Sequence, residues 1–252
     1  QKFVVIGIIP TQERKHVFPI NQRKSFGQQC LELTMFTEIV TLSALVKITL
    51  TMIKENEVLV IDDFISTEYQ EQIKNTLIGE ALFNGHEFPW HYIEDVTACG
   101  DHDSQHRPAL YHQYMDFINE DQKPVVDSKF HDLFVPLLQR GSFKGLGTTK
   151  VNALQGRSFL QFPLNLKNYD VDNPHIDLVE GHKHIVVLYY VCDSDGDTII
   201  YNEKTKSDEY TIKERVTPKQ GRVVIFDGGL YHTAEQPLNN VRCVVNYNLE
   251  MI

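Results

Sequence analysis

The chain has 252 residues, 42% of them hydrophobic and 23% charged, with a formal net charge of −10. That size and balance describe one sizeable globular domain or two small ones. The negative charge excludes a whole-chain footprint for nucleic acid or for an anionic membrane surface.

The charge is unevenly spread. Residues 1–51 carry six Lys/Arg against three Asp/Glu, which leaves 18 against 31 in a strongly acidic body. The chain opens on Gln, as expected of a processed chain or a fragment. The stretch 29–53, "QCLELTMFTEIVTLSALVKITLTMI", is the most apolar of all. Glu32, Glu38 and Lys47 interrupt it, which argues against a membrane span, and it begins too late for a signal peptide. Residues 1–51 are therefore expected to be an N-terminal extension, disordered or not native to the protein. An ordinary helix packed on the domain is the alternative.

The domain proper is expected over 52–252. Val58–Ile61 predicts a short strand, and a helix follows with Ser66 or Thr67 as N-cap and Glu68 and Glu71 in its first turn. From 68 to 140 the sequence reads as helix and loop. From about 148 it turns to strands: "KVNAL" (150–154), "HIVVLYYVC" (184–192), "DTIIYNE" (197–203), "EYTIK" (209–213), "RVVIFD" (222–227) and "VRCVVNYNLEM" (241–251), with turn chemistry such as "DSDGD" and "TPKQG" between them. Short strands without intervening helices predict a mainly β protein with N-terminal helices (α+β), its core a sandwich or barrel. "GSFKGLGTTK" (141–150) lacks the ending of a phosphate-binding loop and reads as a turn. "DHDSQH" (101–106) reads as a solvated loop. Cys30, Cys99, Cys192 and Cys243 are far apart, with no CxxC pair, and no Asn-x-Ser/Thr sequon occurs; both observations suit a reducing cytoplasm.

The densest chemistry is "NPHIDLVEGHKH" (173–184). His175 and Asp177, at i and i+2, share one side of an extended segment. Imidazole and carboxylate together suit Fe(II), and a two-histidine, one-carboxylate set leaves three positions open. The third ligand must come from another strand. His232, in "GGLYHTAEQP" just past "RVVIFDG", is placed for a return across a barrel. His182 and His184 are a rival pair, but one sits in a charged loop and the other opens an apolar run, so we place both outside the ligand set. Alone, the HxD triplet is a weak signal, since eleven histidines in an Asp-rich chain produce one by chance, and a loop histidine near a turn is the better reading. In "VRCVVNYNL" one face carries Arg242, Asn246 and Asn248 and the other is apolar. A buried arginine requires an anion, either a bound carboxylate gripped by the guanidinium fork or an acidic side chain of the body.

Together "HID" (175–177), "VVLYYVCDSDGDTIIY" (186–201), "VTPKQGRVVIFDGGLYHTAEQP" (216–237), Arg242 and the opening "LVIDDFIS" (59–66) resemble the Fe(II)- and 2-oxoglutarate-dependent oxygenases, nearest their prolyl-4-hydroxylase-like branch. The resemblance covers about 58–252 and is tightest over 175–252. It implies a double-stranded β-helix (a jelly roll, cupin-like), with Fe(II) on His175, Asp177 and His232 and the distal carboxylate of 2-oxoglutarate on Arg242. It further implies cofactor-side roles for Tyr190, Asn152 and Thr198, although Tyr190 equally suits the core and a strand threonine needs no special role. The long stretch from Gly156 to Asn173 departs from the family pattern and is expected to be a substrate-covering loop. The implied reaction consumes O₂ and 2-oxoglutarate, releases succinate and CO₂, and hydroxylates a prolyl residue of a peptide or protein, or a small metabolite. Ascorbate is admitted as an auxiliary reductant. Asp177 argues against a halogenase, and the acidic body against repair of nucleic acid. The rivals are a catalytically silent jelly-roll binding module and a metal cupin that works without 2-oxoglutarate. Oligomeric state is not legible.

Overall fold

The computed structural model describes residues 57–96, 107–117, 124–139, 151–164 and 171–251. The expected N-terminal extension, the "DHDSQH" loop and the "GSFKGLGTTK" turn lie outside these residues.

Strand β1 (Val58–Ile61) leads to helix α1 (Thr67–Ile78), whose N-cap is Ser66, its side chain accepting from Tyr69 N. A capping oxygen there meets one of the amide donors that a helix start leaves unpaired. Next come β2 (His91–Ile93), β3 (Ala109–Phe117), β4 (Pro124–Val126), helix α2 (His131–Gln139) and β5 (Val151–Gln161). The C-terminal part is β6 (Ile185–Tyr190), β7 (Thr198–Tyr201), β8 (Ile212–Val216), β9 (Val223–Asp227), β10 (His232–Ala234) and β11 (Arg242–Met251). An antiparallel sheet runs β1-β9-β6-β11-β5-β3-β2, with β4 added on β3, and a smaller antiparallel sheet runs β10-β7-β8.

The two sheets face each other as a double-stranded β-helix. One face of the large sheet packs beneath the helices, where Ile73 and Leu77 of α1 and Leu133, Phe134 and Leu137 of α2 join Tyr189, Val245 and Tyr247. The other face meets the small sheet through Val186, Leu188, Tyr190, Val224, Phe226 and Val244 against Ile200 and Val216. Truncating any one of these fully buried residues to Ala is expected to cost about 2–5 kcal/mol. Alternation along β11 sorts the two faces: Cys243, Val245, Tyr247 and Leu249 point to the helices, and Arg242, Val244 and Asn246 line the space between the sheets.

Three expectations are corrected. The region 68–140 is not helix and loop alone: the nine residues of β3 run within the large sheet. Its helix-facing positions include His112 and Tyr114, whose Nε2 and hydroxyl find partners in Ser128 Oγ and the Arg157 carbonyl. The strand expected to end at Leu154 continues to Gln161, which turns the first residues of the expected covering loop into sheet. The strand expected at 209–213 begins at Ile212 instead. Tyr210 packs its ring on Tyr201 and Tyr231, and Thr211 bonds Glu203, which hold that segment out of the ladder.

Candidate active site

His175 and His232 are joined through their main chains. His175 N donates to His232 O at 3.0 Å, and His232 N to His175 O at 2.9 Å. This reciprocal bridge sets the imidazoles side by side, ring centroids 4.7 Å apart. Each ring has Nδ1 against the carbonyl two residues earlier, Asn173 O at 3.0 Å for His175 and Leu230 O at 3.2 Å for His232. An Nδ1–H donated to a carbonyl leaves Nε2 as the lone-pair nitrogen, the tautomer a metal requires. The Nε2 atoms lie 4.0 Å and 3.8 Å from the two oxygens of Asp177. All three ligand atoms fall within 4.8 Å of one another, close enough to share one ion.

The Asp177 side chain is 4% exposed, and its carboxylate is held from outside the triad: Arg157 donates to Oδ1 at 2.9 Å and Asn246 Nδ2 to Oδ2 at 3.0 Å. Burial alone would raise its pKa, but Arg157, then His232 and His175, overcome that and hold it well below the usual carboxylate range. Burial, reinforced by the neighbouring His175, pushes His232 down to about 4. At neutral pH the site therefore presents a charged carboxylate and a neutral imidazole, which is the protonation that metal binding needs.

The triad opens on a cavity of about 230 Å³ between the sheets, with Phe159, Val186, Leu188 and Val244 as apolar walls. Arg242 closes one end. It is 5% exposed, and each of its three guanidinium nitrogens has an acceptor: Nε to Gly196 O at 3.1 Å, one terminal nitrogen to Gln161 Oε1 at 2.9 Å, the other to Thr198 Oγ1 at 2.8 Å. Tyr190 extends the chain by donating to Thr198 Oγ1 at 2.8 Å. A Cβ on Gly196 would stand 2.7 Å from Glu235 O and 3.2 Å from Arg242 Cδ, so only glycine leaves room there. Among the described residues, all three acceptors of Arg242 are neutral oxygens. Asp172 favours the guanidinium charge from longer range; Gln161 Nε2 bonds Asp172 at 3.0 Å, and the ion-pair partner of Asp172 is Arg107, whose Nε lies 3.5 Å away.

The structure thus brings together His175, Asp177, His232, Arg242 and Thr198 on one cavity, with Tyr190 behind Thr198. It does not bring Asn152 there. That side chain is exposed at the far end of β5, opposite Glu250, and the β5 positions on the cavity are Arg157, Phe159 and Gln161. A bulge at Leu154–Gln155 and the unexpected length of β5 account for the misplacement. His184 stands apart from the triad: its Nδ1 lies 2.8 Å from His182 O and its ring packs on Gly228, buried and not at the surface. Sequence reasoning missed Arg157, Gln161 and Asp172. The alternation in "QGRSFLQ" places the first two on one face, and only the recognition of that segment as a strand could have found them.

No family model and no curated protein matches the chain. Solved structures do. An oxidoreductase from Burkholderia pseudomallei, described as of the 2OG-Fe(II) oxygenase family, superimposes with a TM-score of 0.57 at 11% identity, covering 77% of this chain and 84% of its own. SnoN, a non-heme alpha ketoglutarate dependent epimerase from nogalamycin biosynthesis, gives 0.52 at 9% identity, over 78% of this chain and 79% of its own. SnoK, a carbocyclase of the same cofactor dependence and biosynthesis, gives 0.50 at 12% identity, over 81% and 83%. The chain therefore has the fold of the Fe(II)- and 2-oxoglutarate-dependent oxygenases.

Proposed function

We propose that the protein is an Fe(II)- and 2-oxoglutarate-dependent oxygenase, with His175, Asp177 and His232 as the iron ligands and Arg242 as the anchor for the distal carboxylate of the co-substrate. The observation that carries this reading is the pairing of the two features across one small cavity. A facial two-histidine, one-carboxylate set stands on its wall, and a buried guanidinium with only neutral hydrogen-bond acceptors closes its end.

The donor set fits the metal: two neutral imidazoles and a carboxylate, each oriented by a further hydrogen bond. Bound there with 2-oxoglutarate and O₂, iron supplies the oxidising chemistry that releases succinate and CO₂ and oxidises the substrate. The chain's own residues bind, orient and exclude. Arg242, with Thr198 and Tyr190 aligned behind it, offers its fork to a carboxylate in place of Gln161 or Thr198. Phe159, Val186, Leu188 and Val244 keep water from the space between that anchor and the triad. Arg157 and Asn246 keep Asp177 ionised and aimed. Hydroxylation of a prolyl residue or of a small metabolite is the reaction the sequence resemblance favours. The epimerase and carbocyclase among the similar structures favour, as a second reading, an oxidation that leaves no hydroxyl on the product. Cys192 and Cys243, both buried free thiols, suit a reducing compartment such as the cytoplasm. No helix among the described residues is long and apolar enough to cross a membrane.

Anaerobic titration of Fe(II) with 2-oxoglutarate, followed by the weak visible charge-transfer band of the chelate, tests the proposal. The band is expected in the wild type and absent in His175→Ala. Its absence from folded, iron-loaded wild type would overturn the reading. Retention of 2-oxoglutarate binding in Arg242→Ala would instead favour a metal cupin.

A further inference from the structure

The cavity has a second arginine, whose charge the reaction proposed above uses only to hold Asp177. Arg157 stands on β5 four residues before Gln161, and its strand partner on β11 is Asn246, four residues after Arg242. The two arginines thus sit about 13 Å apart along the sheet, with the triad near Arg157. The Arg157 side chain is 20% exposed, lies over the Phe159 ring at 5.5 Å and lines the cavity. Among the described residues its guanidinium has a single acceptor, Asp177 Oδ1, and its buried Nε has none. The neighbouring Asn246 spends its Nδ2 on Asp177 and leaves Oδ1 buried without a partner. Arginine and asparagine therefore present an unmet donor and an unmet acceptor on paired strands beside the metal site.

Charge counting shows what is missing. With the proposed cofactors bound, the dication is neutralised by Asp177 and the near carboxylate of 2-oxoglutarate. The distal carboxylate neutralises Arg242, and Asp172 neutralises Arg107, 3.5 Å away. Asp177 is then shared between the metal and Arg157, so the group as a whole carries one net positive charge on the Arg157 side of the cavity, an arrangement that favours a bound anion. The other cation on the cavity wall, Arg242, is already committed. We infer that Arg157 determines substrate specificity by receiving a carboxylate of the primary substrate, so that the substrate is an acid whose carboxylate lies on the side of the metal away from Arg242, with an N–H donor nearby for Asn246.

This inference rests on the oxygenase reading, and the experiment separates the two. The Fe(II)·2-oxoglutarate complex is formed anaerobically, its band recorded, and then the twenty N-acetyl amino acids and their matched carboxamides are added one at a time. Each pair differs only at the carboxyl group, and each acid except N-acetylproline carries an amide N–H one carbon from its carboxylate. Perturbation of the band and calorimetric titration read binding. At least one acid is expected to bind about tenfold or more tightly than its carboxamide. Arg157→Gln is expected to abolish that preference, and Arg157→Lys, which keeps the charge, to retain part of it. If Arg157 only orients Asp177, acid and carboxamide bind alike in the wild type. That result, a preference surviving in Arg157→Gln, or no binding of any probe by a complex that shows the band, would overturn the inference. Absence of the band before any probe is added strikes the oxygenase reading itself. Should Arg157→Gln lose the band, the wild-type pairs and Arg157→Lys decide.

Discussion

The two arginines of the cavity are held in opposite ways. Arg242 is 5% exposed with all three guanidinium nitrogens on acceptors, whereas the Arg157 side chain is 20% exposed and has one acceptor among the described residues. A side chain with all three guanidinium nitrogens anchored is fixed before any ligand arrives, and its two remaining N–H groups can receive a ligand at little cost in entropy. A side chain with spare donors gains more from a ligand and discriminates more sharply between ligands. On the proposed reading, one end of the cavity receives the co-substrate and the other the primary substrate.

The comparison breaks first at Asp177, the residue that one arginine holds and the other does not. Asp177→Ala is expected to abolish Fe(II) binding in equilibrium dialysis, since it removes a ligand and leaves Arg157 as an unpaired charge; retained iron would show that the triad is not the site. Arg242→Ala is expected to weaken 2-oxoglutarate by at least about a hundredfold in calorimetry. It should also lower stability by about 1–3 kcal/mol in urea unfolding, because Gln161, Thr198 and the Gly196 carbonyl lose their donor. Asn246→Ala removes one of the two donors that aim Asp177 and should lower iron affinity by about tenfold while leaving the fold intact, measured by competition with a chelator.

The smallest effect belongs to a third arginine, placed at the surface. Arg222 grips Asp62 with two nitrogens, at 2.6 Å and 3.2 Å, and Lys219 adds a contact at 3.1 Å; together they lower the Asp62 carboxyl to about 2. A depressed folded pKa stabilises above the unfolded value near 4 and is lost as pH falls towards 2. Asp62 is 40% exposed, so solvent screening leaves less than about 1 kcal/mol. Melting curves of wild type and Asp62→Asn should differ slightly at pH 6 and converge by pH 2, and a difference that persists there would assign the pair a role other than charge.

What the sequence disclosed follows the same division. The grouping of His175, Asp177 and His232 was legible through the family resemblance rather than from the HxD triplet alone, and the cavity side of Arg242 because β11 alternates cleanly, Cys243, Val245 and Tyr247 against Arg242, Val244 and Asn246. The β core was legible from "HIVVLYYVC" and "RVVIFD", whose centres, 185–188 and 223–226, are buried and wholly apolar, and the resemblance named it a jelly roll. Strand β3 was hidden because His112 and Tyr114 occupy core positions with polar tips. The second half of β5 was hidden because its core face reads Gly156, Ser158, Leu160. A Cβ at Gly156 would meet the rings of Tyr114 and Tyr247 at 2.5 Å and 2.7 Å, so this position is small because aromatic bulk fills the space above it. Hydrophobic periodicity does not register a strand whose partners supply the apolar surface, and Arg157 went unnoticed with it.

The reciprocal main-chain bonds between His175 and His232 carry a consequence for which metals the protein accepts. The spacing of two ligands is set by main-chain hydrogen bonds and not by the ion alone, so stripping the metal with a chelator is expected to leave the chain folded, unlike domains whose metal supplies their folding energy. A preformed nitrogen–oxygen site also imposes little of its own preference on the divalent series. Cobalt, nickel, copper and zinc should all displace iron from it in the order of their intrinsic affinities. Iron in this protein would then reflect the metal supply around it rather than a choice made by the fold.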